Sequence, residues 1–128
     1  MKFYECSTCH NIFYVVDDSG VIPVCCAQPM NHLCCSNTML NEHEISCTTE
    51  TMNDIQKVCV HIGKDKPHPM NNEHYIMWVV IKTDKGAKFH MFSKESEHSC
   101  ATFYLSSDEK IRSIALYCNI HGLYEKFM

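Results

Sequence analysis

The chain has 128 residues and a formal net charge of −4, enough for one ordinary domain or for a very small module joined to a larger one, since domains most often run to about 100–150 residues. An acidic balance with no basic run excludes nucleic acid and an anionic membrane as main partners. No stretch approaches about 18 uninterrupted apolar residues and MKFYECSTCH has no apolar signal-peptide core, so a cytoplasmic protein is expected.

In chain order, FYEC, IFYVV and VIPVC read as short strands, with DDSG as the turn between the second and third. After CCAQPM, the polar stretch NHLCCSNTMLNE lacks periodicity and reads as a linker, which places a boundary near residue 37. Beyond it, KVCVHIG, HYIMWVVIKT, AKFHMFS, CATFYLS and IRSIALYC are β-branched and aromatic runs separated by loops, and TDKG is a hairpin turn. Several short strands without a 3.6-residue period indicate an all-β sandwich or barrel.

Ten cysteines and nine histidines in such a chain point to metal ligands in a reducing compartment, where a disulfide framework does not persist. Cys6-Ser7-Thr8-Cys9 is followed by Cys25-Cys26. Two thiolates two residues apart grip one ion from a tight turn, and a second pair returned by a hairpin completes a tetrahedral four-sulfur site for iron or zinc. The alternative is a set of ordinary reduced or disulfide-bonded cysteines. So small a unit buries too little apolar surface to fold alone, and a metal would supply much of its stability. Adjacent cysteines are unusual for structural zinc. Near the other end, YCNIHG holds Cys118 and His121 three positions apart, as two ligands of one metal or as core residues.

Cys6-x2-Cys9-x15-Cys25-Cys26 with the continuation VCCAQPM resembles the desulforedoxin module that opens desulfoferrodoxins, in which adjacent cysteines distort a four-thiolate iron centre. A second adjacent pair, Cys34-Cys35, lies beyond the family's Gln-Pro-Met and receives no role. KPHPMNNEHYIMW, with His68 and His74, and YCNIHG resemble the superoxide reductase domain of desulfoferrodoxins and neelaredoxins. There, His-Pro-Met, a histidine before a tryptophan-containing strand and a late Cys-Asn-x-His build one iron site, and a further histidine follows the linker. In this chain that position is His43, with His61 as its competitor.

The resemblance implies an all-β protein: a small rubredoxin-like, desulforedoxin-type β-hairpin domain over residues 1–37, then an immunoglobulin-like β-sandwich over 38–128. It implies two irons per chain, one on Cys6, Cys9, Cys25 and Cys26, the other on His43, His68, His74 and His121 with Cys118 on the axis and one axial position open. The implied activity is reduction of superoxide to hydrogen peroxide, fed by a rubredoxin-type electron donor, in a homodimer. A thiolate opposite the open position donates electron density to the iron, as in some haem enzymes. The alternative is a non-catalytic iron sensor of redox state, peroxide or nitric oxide on the same fold. A purely structural zinc protein is disfavoured, because zinc takes four ligands.

One departure stands out. The family places a Glu-Lys pair before the first histidine, the lysine attracting superoxide and assisting protonation, the glutamate taking the open position in the ferric state. Here those positions hold Asn41 and Glu42. Three readings stay open: Glu42 acts as the carboxylate from a shifted position, Lys64 or Lys66 replaces the positive charge, or the substrate has changed. Cys47, Cys59 and Cys100 are expected as small buried residues and the methionines as core filler. His10, His32, His90 and His98 are expected to be solvated or hydrogen-bonded.

Overall fold

The computed structural model describes residues 1–128 and is all-β, with twelve strands in chain order. It divides into two compact units, Met1–Cys34 and Cys35–Met128.

In the first unit, β1 (Phe3–Glu5) pairs with β2 (Ile12–Tyr14) and with β5 (Asn31–His32). A separate two-residue ladder joins β3 (Val24–Cys25) to β4 (Gln28–Pro29). Of the expected strand VIPVC, only Val24 and Cys25 pair. The turn between β3 and β4 is Cys26-Ala27, with φ of 51° and 58°, the doubly left-handed geometry of a tight hairpin that ordinarily selects Asn or Gly. The sequence therefore accepts local strain to set two adjacent thiols on one bend. Tyr4, Cys6 and Met30 form the small core, with Val15 and Cys25 packed against it.

The second unit is a two-sheet sandwich. One sheet runs β10-β7-β6 and the other β12-β11-β8-β9, where β6 is Ile45–Met52, β7 Ile55–Ile62, β8 Ile76–Thr83, β9 Ala87–Met91, β10 Cys100–Ser106, β11 Ile111–Cys118 and β12 Gly122–Phe127. The seven strands match the expected immunoglobulin-like layout. TDKG closes the β8–β9 hairpin, with the Thr83 amide donating to the Gly86 carbonyl at 2.8 Å. Two strands were not foreseen, β6 and β12: ISCTTETM exposes most of its side chains and GLYEKF opens on glycine, so neither carries the apolar run that marks a strand.

Alternation places the core between the sheets. Val58, Val60 and Ile62 of β7 and Ala101, Phe103 and Leu105 of β10 face inward against Ile76, Val79, Ile81, Ile114 and Leu116. Ile76 and Val79 are three residues apart, which strict period-2 alternation forbids on one face. A register shift in the β8–β11 ladder, from Tyr117↔Trp78 to Cys118↔Ile76, absorbs the extra residue. That bulge keeps Ile76 in the core and brings Cys118 into it, 0% exposed. The same parity turns His61 outward, between inward-facing Val60 and Ile62.

Candidate metal centres

Paired strand ends assemble the second unit's site. His43 precedes β6 and His68 follows β7, whose ends pair at Ile45↔Ile62. His74 precedes β8 and Cys118 ends β11, and these ends pair at Ile76↔Cys118. Cys118 and Gly122 pair as the β11–β12 hairpin closes, so His121 comes back beside the thiol, its Nδ1 3.6 Å from Sγ. The loops are tied together as well. The Lys64 amide donates to Asn41 O at 2.9 Å and the Gly63 amide to Glu44 O at 2.9 Å.

The four imidazoles form a ring in the order His43, His68, His74, His121. Neighbouring ring centroids are 4.7, 4.6, 5.0 and 4.9 Å apart, and the His43–His74 diagonal is 6.4 Å. The diagonal is longer than the edges, so the four rings surround one common space. Donor atoms of His43, His68, His74 and Cys118 lie within 4.8 Å of one another.

Hydrogen bonds fix the tautomers. Nδ1 of His43 donates to the Met39 carbonyl at 2.9 Å and Nδ1 of His68 to the Pro69 carbonyl at 2.7 Å, which leaves both Nε2 lone pairs for a metal. Burial pushes the His43 imidazole below its usual pKa and His68 down to about 4, so both rings are neutral ligands at neutral pH. Burial also raises the Cys118 thiol, a rise opposed by hydrogen bonds from the His121 and Ile120 backbone. Nε2 of His74 is buried without any hydrogen-bond partner. An orphaned ring nitrogen beside two others and a thiol is explained by a cation, so the donor set fits a metal ion.

Glu42, at the position of the missing lysine, lies inside this assembly. Its carboxylate shares a 4.8 Å neighbourhood with donor atoms of His43 and His121 and stands 3.9 Å from Nδ1 of His74. Lys66 and Glu42 line one open groove of about 900 Å³, whereas Lys64 lines a separate cavity of about 350 Å³ that Lys66 also borders. Two positioning residues were not singled out from sequence. Tyr124 stacks on His43 at 4.1 Å and 4°, with its hydroxyl donating to Thr38 O at 2.8 Å. Asn119 accepts from the Tyr75 amide and donates to Glu73 O, both at 2.8 Å, clamping the Cys118–His121 loop to the His74 segment. Asn119 was visible within the Cys-Asn-x-His motif; Tyr124 left no sequence signal.

In the first unit, Cys6, Cys9, Cys25 and Cys26 bring their sulfurs within 4.8 Å of one another. The tight turn after Cys6 has the His10 amide donating to Cys6 O at 2.9 Å. Backbone amides of Cys9 and Thr8 pull the Cys6 thiol down to about 6, while the thiols of Cys9 and Cys6 push Cys25 up to about 12. Sulfurs this crowded cannot all ionise without a cation, so this set fits a metal too.

Other expectations need adjustment. All ten cysteines are free of disulfides. Cys47 packs against the sandwich core as expected, but Cys59 and Cys100 are only half-buried, because β7 and β10 turn them to the outer face. His61 is exposed and belongs to neither cluster.

The profile of the desulfoferrodoxin family matches residues 40–127. A desulfoferrodoxin homolog of Archaeoglobus fulgidus is 34% identical over 125 residues, covering 98% of this chain and 95% of its own length. A superoxide reductase of Pyrococcus horikoshii is 36% identical over 87 residues, 59% of this chain and 76% of that protein. Among solved structures, the superoxide reductase from Treponema pallidum shares the fold, with a TM-score of 0.74, 24% identity and coverage of 98% and 95%. No helix is long and apolar enough to cross a membrane.

Proposed function

The chain belongs to the desulfoferrodoxin family, and from that premise we propose that it is a superoxide reductase carrying two iron centres. The four-cysteine iron domain, expected over residues 1–37, corresponds to the compact unit Met1–Cys34, and the catalytic domain, expected over 38–128, to Cys35–Met128. Cys6, Cys9, Cys25 and Cys26 hold the first iron. His43, His68, His74, His121 and Cys118 would hold the second. The observation that carries this reading is the ring of imidazoles with the buried Cys118 thiol beside it and the orphaned His74 nitrogen within it.

A ferrous ion held there would supply the one electron that, with two protons, converts superoxide into hydrogen peroxide. The chain's own residues do the rest. Cys118, 0% exposed, keeps water from its side of the site and would give a thiolate ligand whose charge density favours release of an intact product. Glu42 and His74 keep 22% and 18% of their side chains exposed, so the Glu42 side is where a small anion enters. Glu42 acts there as the site's carboxylate. Lys66, on the same groove, supplies attraction for superoxide, and Lys64 a more distant contribution.

The density of cysteines at metal-ligand spacing supports a reducing, cytoplasmic setting. Membership in the family supports a rubredoxin-type donor and an electron-transport role. Exposed Val16, Val21, Ile22 and Val24 on the first unit support a homodimer. The activity is tested by anaerobic addition of stoichiometric superoxide to reduced, iron-loaded protein. One peroxide per superoxide, without dioxygen, is expected; evolution of dioxygen, or no oxidation of the second centre, overturns the reading.

A further inference from the structure

Two exposed thiols lie outside both metal sets, Cys34 and Cys35. The first of them ends a short line of polar and aromatic groups on the surface of the first unit. His32 closes β5 and pairs with Tyr4, and the Leu33 amide donates to Phe3 O at 2.9 Å, so the chain stays extended past the strand. Residues i and i+2 of an extended chain turn to one face. Cys34 Sγ accordingly lies 4.0 Å from His32 Nδ1 and 4.0 Å from His32 O.

The imidazole beside that thiol is itself held. It tilts against the Tyr4 ring with centroids 5.8 Å apart, and Lys2 Nζ lies 5.4 Å from the centroid of the same tyrosine ring. Lys2 in turn pairs with Asp18 at 2.8 Å, and the Gly20 amide donates to Asp18 Oδ1 at 2.9 Å. The Asp18 carboxyl is held below its usual range by Lys2 first, then by the Gly20 amide, with a smaller contribution from His32. A carboxylate thus stands close enough to favour the charged form of the ring.

We propose that Cys34 is a peroxide-reactive thiol, oxidised reversibly to a sulfenic acid with His32 as the base at its side. The inference rests on the reductase reading only for the source of hydrogen peroxide. The thiol proton passes to His32, the thiolate sulfur attacks one peroxide oxygen, and the O–O bond breaks. The departing hydroxide takes the proton back from His32 and leaves as water. Sulfur loses two electrons and peroxide gains them, so one thiol and one hydrogen peroxide give one sulfenic acid and one water. Two equivalents of a small thiol restore Cys34, releasing a disulfide and a second water. An imidazole beside a thiol serves both halves of this step, first as proton acceptor and then as donor to the leaving oxygen. Apart from Cys35, the other cysteines are withheld from a small oxidant, by metal in the two donor sets or by partial burial on β6, β7 and β10.

The test adds hydrogen peroxide directly to full-length protein with both irons loaded and oxidised, followed by dimedone, which traps sulfenic acids. Peptide mass spectrometry should place the adduct on Cys34 at about tenfold or more over Cys35, and His32→Gln should cut it by about tenfold or more at unchanged iron spectra. His32→Gln should also abolish a preference of Cys34 for iodoacetate over iodoacetamide, a readout of positive charge at the sulfur that a merely structural role leaves alone. An adduct on Cys35 instead, an adduct and a preference that His32→Gln leaves intact, or no adduct at all overturns the site. Protein that reduces superoxide without forming the Cys34 adduct defeats this inference alone. Protein that forms the adduct without reducing superoxide defeats the reductase reading alone.

Discussion

The Nε2 atoms of His43 and His68 face each other at 3.1 Å, while each ring donates from its other nitrogen to a backbone carbonyl, Met39 O and Pro69 O. Backbone hydrogen bonds to the other ring nitrogens thus hold these two nitrogens side by side. His68→Ala should reduce iron in the second centre to well under half an equivalent while the four-cysteine centre stays full, as read by iron analysis and the two visible spectra.

Cys118→Ser should abolish the sulfur-to-iron charge-transfer band of the oxidised second centre and slow superoxide reduction at least tenfold, because both the transition and the electron donation need the thiolate. An unchanged band would move the axial role to another cysteine.

Cys26→Ser should remove the first centre's colour and destabilise the first unit, which relies on its metal in place of a large core. Superoxide should still oxidise the second centre. Loss of that reaction would show that the two centres are not independent.

Glu42→Lys should raise the second-order rate with superoxide at low salt by about 10-fold, the usual scale of electrostatic steering, and the gain should fade as ions screen charge over about 10 Å at 0.1 M. Pulse radiolysis across a salt series measures this. If the rate does not rise, Lys66→Ala distinguishes a field already supplied by Lys66, which predicts slowing, from a Glu42 that takes no part.

The metal-free protein should lose stability as acid is added. The folded pKa of His68 is depressed to about 4 from 6.5, so between these values the unfolded chain binds more protons and stability falls as pH falls. The contribution is complete above about 6.5. Thermal unfolding of metal-free protein at pH 7.5, 6 and 5 should show a progressive fall in Tm, steeper than for a His68→Asn variant.

Read alone, the sequence determined the donor sets and the strand-rich class. Cys6-x2-Cys9 and Cys25-Cys26 are local spacings, and short-range geometry decides whether two thiols can share an ion. Alternation in CATFYLS, with Ala101, Phe103 and Leu105 inward, is also a local pattern. The strands β6 and β12 stayed hidden because they are held by partners, Ile45↔Ile62 and Leu116↔Tyr124, rather than by their own composition. The family resemblance alone selects His43 over His61, and strand parity is what sets His61 apart. His61 is flanked by core residues on a regular strand and must face out, whereas His43 sits at a strand end where the backbone is free to turn in. Only the tertiary structure decided that four histidines from three loops come together and that Glu42 joins them, because those distances depend on which strand ends pair. Pairing is a non-local choice, settled by the burial of two whole sheet faces and invisible in any single stretch of chain.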